Sequence, residues 1–286
     1  MKEHTVLYQL KEVSPYMMSF VVITKEDRAI VIDGGRPEDM PSLKACIAGR
    51  RIAAWILTHA HDDHISGFVS EFEKNGGEDF DIEKIYYCFP PYSIIDQVVD
   101  NSDFFKQELN EMLPAFEAVL PQFSHKTHAV EQGEQIKIDE VTVDFLYTYR
   151  PGLTANLMND ASLVFKLTAG ETSVLFLGDL GPEGGDVLYR ESRHLLKADM
   201  VQMAHHGHMN CGMEVYAAIG AKTCFWCCPQ WLYEEVEIPD YLQDPEDLRL
   251  NHRQRMYGTA VTRAWMEDLG AEHHYVSCQG PHRIVL

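Results

Sequence analysis

Hydrophobic positions along the chain alternate between the two-residue period of strands and the three-to-four-residue period of helices. In residues 62–77, for example, Ile65, Phe68 and Phe72 share one helical face. Strands are predicted within 19–35, 51–61, 82–89, 135–147, 161–179, 198–206, 222–228, 272–278 and 282–286, and helices within 37–49, 62–77, 93–120, 184–197 and 259–270. The polar stretch 234–254 is predicted to be a surface excursion.

This alternation of strands and helices is typical of an α/β or α+β layered protein. No stretch rich in proline, glycine and serine interrupts it, so we expect a single domain over residues 1–286. A hydrophobic fraction of 45% and 286 residues are enough for a large buried core.

Charge and cysteine usage limit the partners and the compartment. The 24 basic and 44 acidic residues give a net charge of −20, which disfavours nucleic acid, anionic membranes and polyanionic substrates. We therefore expect a small-molecule substrate. No stretch reaches the length of a membrane span, and the seven cysteines are scattered, which indicates a reducing, cytoplasmic location.

Three of these cysteines, Cys224, Cys227 and Cys228, lie close together in "KTCFWCCPQW". A zinc or redox site is one interpretation. A buried apolar strand is the favoured one, because free cysteine behaves as a small hydrophobe and no second cysteine pair stands at zinc-ribbon spacing.

The segment "ILTHAHDDHISG" concentrates ligand-type side chains directly after a buried strand. His59 and His61 are two positions apart on extended chain, so their side chains point the same way and can share one metal. Asp63 and His64, where the chain turns into a helix, can face a second metal. Imidazole and carboxylate suit zinc, manganese or iron.

The motif T-H-A-H-D-D-H resembles the T-H-x-H-x-D-H signature of the metallo-β-lactamase superfamily. "VIDGG" at 31–35 resembles the strand and turn before that motif, with Asp33 supporting the ligands. "FLGD" and "AHHG" resemble the later motifs of the superfamily. The resemblance implies a four-layered αββα sandwich with two divalent metal ions at one edge of the sheets, zinc being the first expectation and manganese or iron the alternatives.

The resemblance also implies the ligand set. Asp179 would bridge the two metals, and one of His205 and His206 would complete the second site while the other donates a hydrogen bond or proton to the substrate. The predicted metal ligands are His59, His61, Asp63, His64, Asp160, Asp179, His205 and His206. Asp63, His205 and His206 are also predicted to act in catalysis. His208 is predicted to be ordinary surface.

The branch of the superfamily is suggested by a missing motif. Lactonases and thioesterases carry a G-H-x-x-G-H-like turn, which the chain lacks. "NLMNDASLVFKL" instead resembles the branch of DNA-uptake channel hydrolase domains and phosphorylcholine esterases, in which Asp160 would replace the missing histidine. Alternatively, Asp160 only initiates a strand turn. "HHGHMNCG" and "MYGTAV" depart from the DNA-uptake pattern, and this weakens a nuclease interpretation.

The prediction is a hydrolase that uses a metal-bridging hydroxide to cleave a small phosphodiester. Hydrolysis of a lactone or thioester and a non-catalytic metal-binding sensor remain alternatives. Trp231 and Tyr233 next to Glu234 and Glu235 could cage a quaternary ammonium group, as in a phosphorylcholine-type substrate. An aromatic loop packed over its own core is the simpler interpretation of that segment.

Overall fold

The computed structural model describes residues 2–97, 103–153, 156–208, 210–234 and 258–286. The strands are β1 (Val6–Gln9), β2 (Ser19–Ile23), β3 (Ala29–Asp33), β4 (Ile52–Ile56), β5 (Ile85–Tyr87), β6 (Thr127–Ala129), β7 (Gln135–Ile138), β8 (Val141–Tyr147), β9 (Val164–Ala169), β10 (Thr172–Phe176), β11 (Met200–Gln202), β12 (Thr223–Trp226), β13 (His273–Val276) and β14 (His282–Val285). The helices are α1 (Met40–Ile47), α2 (Asp62–Asn75), α3 (Asp103–Phe123), α4 (Leu157–Asp160), α5 (Pro182–Ser192), α6 (Met213–Ile219), α7 (Gln230–Glu234) and α8 (Thr259–Asp268).

The strands form two mixed sheets of seven. The first has the order β14-β1-β2-β3-β4-β5-β6, and the second has the order β13-β12-β11-β10-β9-β8-β7. The C-terminal strand β14 therefore returns to the first sheet, where it pairs antiparallel with β1. Parallel pairing of β3 with β4, and of β10 with β11, brings the carboxyl ends of these strands to one edge of each sheet.

Three hydrophobic clusters separate four layers. Phe20, Phe176 and Phe225 pack edge to face between the two sheets. Trp55 joins the outer face of the first sheet to α1, α2 and α3, and Trp226 joins the outer face of the second sheet to α5, α6 and α8. This is the predicted αββα sandwich, and the prediction of fold class is confirmed.

The cysteine-rich segment has the simpler of its two predicted forms. Cys224 lies within β12, and Cys227 and Cys228 follow it, with all three side chains buried. Their thiols have raised pKa values because burial disfavours the thiolate. Free, protonated cysteines in a buried strand behave here as apolar side chains.

Some predicted boundaries differ from the structure, and one segment cannot be compared. The helix predicted from Gly184 begins at Pro182, because proline is well suited to the first turn of a helix. All but the first residue of the polar stretch 234–254 lies outside the described residues. In the described part of the chain, no helix is both long and apolar enough to cross a bilayer.

Candidate metal centre

The first four candidate ligands follow β4 in the first sheet. His61 is extended (φ −92°, ψ 159°) and immediately precedes α2, so the chain turns there and presents Asp63 and His64 from the first helical turn. The turn is fixed from behind, because the backbone N–H groups of Gly34 and Gly35 both donate to the His64 carbonyl. The His59 and His64 side chains are fully buried, and those of His61 and Asp63 are nearly so.

The other candidate ligands follow β10 and β11 in the second sheet, where a buried glutamine holds the two connecting loops together. Gln202 accepts hydrogen bonds from the backbone N–H of Leu177 and Gly178, at 2.9 and 2.8 Å. Its amide nitrogen donates to the carbonyls of Gly178 and Met203. Sequence analysis did not predict this role, because Gln202 looks like an ordinary polar residue at a strand end. It positions the loop that carries Asp179 against the one that carries the tandem histidines.

His205, His206 and Gly207 form a run of three left-handed residues, with φ of 47°, 59° and 88°. Side chains that alternate along an extended strand no longer do so in such a run. As a result both imidazoles approach one carboxylate oxygen, Asp179 Oδ2, with Nε2 of His205 at 4.0 Å and Nε2 of His206 at 3.0 Å.

The side chains converge in two groups. Within each group, the ligand atoms lie within 4.8 Å of one another. The groups are His59, His61 and Asp179, and Asp63, His64 and His206. Asp179 contacts the second group as well, because its Oδ1 lies 3.3 Å from His64 Nε2 and its Oδ2 lies 3.0 Å from His206 Nε2. One carboxylate therefore joins the two groups.

Contacts behind the ligands aim the second group. His64 Nδ1 lies 2.7 Å from Asp33 Oδ2, and Asp33 also accepts hydrogen bonds from the backbone N–H and the hydroxyl of Thr58. His206 Nδ1 donates to the Cys227 carbonyl at 2.8 Å. In both histidines Nδ1 contacts a protein oxygen and Nε2 faces the site. A histidine that binds a metal through one ring nitrogen usually hydrogen-bonds to the protein through the other.

The two groups differ in protonation. Burial alone would lower the pKa of His206, but the Asp179 and Asp63 carboxylates outweigh it and raise that pKa to about 10. The pKa of His64 is raised in the same way, against burial, by Asp179 and Asp33. Burial raises the pKa of Asp179, but the charges of His206 and His64 hold it well below the usual range. A divalent cation at the second group would displace protons from these histidines.

The two histidines of the first group, and His205 beside them, are neutral by contrast. Burial lowers the pKa of His59 and of His61, and it lowers the pKa of His205 to about 4. Neutral imidazole is the form of histidine that binds metal.

Two buried atoms support a metal at this place. His64 Nε2 and Asp179 Oδ1 are inaccessible to solvent and face each other at 3.3 Å, and neither makes a hydrogen bond of normal geometry within the described part of the chain. Orphaned buried polar atoms are costly, and a cation between them would satisfy both. Imidazole nitrogens with carboxylate oxygens are a donor set suited to zinc, manganese or iron. The fold and the two groups indicate a dinuclear metal site.

Two predicted residues lie elsewhere. Asp160 is buried at the end of α4, where its Oδ1 accepts a hydrogen bond from the Gly184 backbone N–H at 2.8 Å, at the N-terminus of α5. It belongs to neither group, so its role as a ligand stays a prediction. His208 was wrongly predicted to be on the surface, since it is only 2% exposed and packs against His205 with ring centroids 4.6 Å apart.

Tyr233 follows the simpler interpretation of its segment, an aromatic side chain packed over its own core, and not the alternative of a cage. The Tyr233 ring packs on Trp226 and is covered by the Arg263 guanidinium, 4.9 Å from the ring centroid, so a protein cation already occupies that face. Trp231 instead lies 6.0 Å from Tyr16, whose ring stands edge-on to His206. Sequence analysis did not identify Tyr16, because it belongs to a loop far from the histidine motif in sequence.

Comparison with known proteins agrees with the fold. Residues 15–74 match the family model of the metallo-beta-lactamase superfamily. The metallo-beta-lactamase fold protein YhfI from Bacillus subtilis is 14% identical, with 98% of this chain and 100% of that chain covered and a TM-score of 0.54. CmlA, a diiron β-hydroxylase from Streptomyces venezuelae, is 11% identical with a TM-score of 0.57, and the match covers all of this chain but 55% of CmlA. No curated protein matches the sequence.

These similarities show a shared fold. The chemistry has to be inferred from the residues of the site. Both sheets, the position of the histidine motif after β4 and the joining carboxylate Asp179 agree with that fold. The family model matches residues 15–74, and the chain as a whole has the fold of the metallo-beta-lactamase fold protein YhfI.

Proposed function

We propose that the protein is a dinuclear metal-dependent hydrolase of a small phosphodiester. The observation that carries the proposal is the position of Asp179 between the two ligand groups, with Oδ2 3.8 Å from His59 Nε2 of the first group and Oδ1 3.3 Å from His64 Nε2 of the second. A carboxylate shared in this way would hold two cations close together, as two-metal hydrolases do, at a separation of about 3.5–4 Å.

The residues of this chain would hold the two ions and orient the reaction. His59, His61 and Asp179 would hold one ion, and Asp63, His64, His206 and Asp179 would hold the other. When bound, two divalent cations supply an activated water and positive charge opposite the developing oxyanion.

His205 is the residue best placed to act on the substrate. The Asn210 amide donates to its Nδ1 at 2.5 Å, so the neutral ring carries its proton on Nε2, the atom that faces Asp179. The low pKa of about 4 keeps the ring neutral at pH 7. His205 therefore offers a fixed N–H donor to an oxygen on which negative charge develops, a contribution that is strongest in a site closed to water.

The preference for a small phosphodiester rests on the sequence. The chain lacks the G-H-x-x-G-H-like turn of lactonases and thioesterases, and "NLMNDASLVFKL" resembles the phosphoesterase branch. A net charge of −20 disfavours polyanions such as DNA. All seven cysteines are free. Free cysteines support a reducing compartment, and we include a cytoplasmic location in the proposal.

Hydrolysis of bis(p-nitrophenyl) phosphate tests the proposal. The purified protein is stripped with a chelator and reloaded separately with zinc, manganese or iron, and metal content is measured alongside turnover. We expect two metal ions per chain and turnover with at least one metal. Asp179→Asn should lose both, whereas Asp268→Asn, an exposed carboxylate on α8, should retain both.

Three results would contradict the proposal. Turnover of a lactone or thioester without turnover of the diester would favour the carbonyl hydrolase. Two bound metals without turnover of any ester would favour a sensor. Equal turnover by the parent and by Asp179→Asn would show that the dinuclear site does not carry out the reaction.

A further inference from the structure

The loop between β1 and β2 contains a tyrosine in a conformation that tyrosine rarely adopts. Tyr16 has φ of +67°, in the left-handed region that costs a residue with a side chain free energy. Such a conformation persists only where its surroundings over-determine it, and it is most common at functional sites.

The surroundings of Tyr16 do over-determine it, because both polar atoms of the Pro15–Tyr16 peptide are held by side chains. The Tyr16 N–H donates to the Glu12 carboxylate, and the Pro15 carbonyl accepts from Arg36 Nη1 at 2.5 Å. Arg36 is itself anchored by a two-pronged pair with Asp62, at 2.7 and 3.2 Å. The peptide plane therefore cannot rotate to relieve the strain at Tyr16 without breaking the hydrogen bonds to Glu12 and Arg36.

The strained backbone aims the tyrosine ring at the metal centre. Its centroid lies 5.0 Å from that of His206 and 6.1 Å from that of His208, edge to face in both cases. The Trp231 ring stands almost perpendicular to it, at 87° and 6.0 Å. Tyr16 and Trp231 therefore form an aromatic wall on the His206 side of the centre.

We infer that Tyr16, backed by Trp231, is a specificity-determining residue that selects a phosphoester with a planar, apolar group, such as an aryl ester. The inference rests on the proposed function, because it concerns the substrate of the same site. Aromatic rings that meet edge to face contribute attraction beyond the area they bury, so the wall favours an aryl over an alkyl substituent.

The neighbouring Glu12 side chain accepts a hydrogen bond from the Ser277 hydroxyl at 3.3 Å. Burial raises the pKa of Glu12 to about 7, so at neutral pH it carries only part of a negative charge and offers no cation to a charged substituent. The wall is thus suited to a neutral aromatic group.

Binding of two phosphonates to the metal-loaded protein tests the inference without requiring turnover. Calorimetry should show phenylphosphonate binding about three- to tenfold more tightly than methylphosphonate, the range expected for one or two ring contacts. Tyr16→Ala should bind both with equal affinity, and Tyr16→Phe should keep the preference. Val13→Ala, at an exposed position in the same loop, should behave as the parent.

Thermal denaturation separates this role from a structural one. Tyr16→Gly removes the ring and the backbone strain together, so it should melt at a higher temperature than Tyr16→Ala and yet show the same loss of phenyl preference. A lower melting temperature for Tyr16→Gly than for Tyr16→Ala would show that the backbone is not strained and would overturn the argument.

The outcomes for the wall and for the proposed function are distinct. Equal affinity of the parent for the two phosphonates, or no binding of phenylphosphonate, overturns the inference about Tyr16 whatever the hydrolysis assay shows. A phenyl preference that Tyr16→Ala loses supports the inference even if no phosphodiester is hydrolysed, and only the reaction would then need to be replaced.

Discussion

Asp39 is a fully buried carboxylate that fastens the β1–β2 loop beside the metal centre. It accepts hydrogen bonds from the backbone N–H groups of Val13, Ser14 and Arg36, at 3.1, 2.9 and 2.8 Å, and from the Ser14 hydroxyl. Asp39→Ala removes the acceptor for four donors at once. With about 1 kcal/mol net for each hydrogen bond, the loss is about 4 kcal/mol.

A loss of this size is a large part of the stability of an ordinary domain, which is about 5–15 kcal/mol. Urea denaturation of the parent and of Asp39→Ala, followed by circular dichroism, measures it directly. Amide hydrogen exchange adds a local readout, because the Val13 and Ser14 amides should lose protection in the variant.

Asp81→Ala is the matched control. Asp81 pairs with Arg51 at 2.8 Å, but both side chains are more than half exposed, so the pair should contribute little. If Asp39→Ala destabilised the protein no more than Asp81→Ala, the four hydrogen bonds would not fasten the loop as argued.

Three further predictions concern the site and its supports. Gly207 and Gly133 have nearly the same φ, 88° and 87°, but only a Cβ at Gly207 would meet a side chain, Trp226 Cζ3 at 2.5 Å. Gly207→Ala should therefore cost about 1–3 kcal/mol more than Gly133→Ala in urea denaturation, and equal costs would contradict the clash. Burial raises the pKa of Asp160 from 3.8 to about 7, so its contribution to stability is full below pH 4 and is lost as pH rises to 7. With chelator present, the free energy of unfolding of the parent should fall by up to about 4 kcal/mol relative to that of Asp160→Asn between pH 4 and pH 7. A relative rise in the parent's free energy of unfolding would instead show that nearby charges stabilise the Asp160 carboxylate. Chelation should lower the melting temperature of the parent but not that of Asp179→Asn, and equal responses would place the metal elsewhere.

The fold and the first half of the site could be predicted from sequence because their signals are local. The buried strand before the histidines and the helix after them have clear periods, and β4 and α2 lie where the pattern indicates. The spacing of His59, His61, Asp63 and His64 depends only on that strand-to-helix turn.

The second half of the site depends on contacts distant in sequence. The choice between His205 and His206 could not be made from strand alternation, because both residues are left-handed in the structure. The roles of Gln202 and Tyr16 depend on loops brought together by packing of the two sheets. No local period reports such contacts.

The candidate ligands come from both sheets, and this division links metal to the integrity of the whole fold. His59, His61, Asp63 and His64 follow the first sheet, and Asp179 and His206 follow the second. Ions at this edge would act as reversible cross-links between two halves of the sandwich. A ligand present at a hundred times its dissociation constant stabilises the state that binds it by about 2.7 kcal/mol. Without metal, proteases would then degrade the protein faster, in addition to the loss of the proposed hydrolysis.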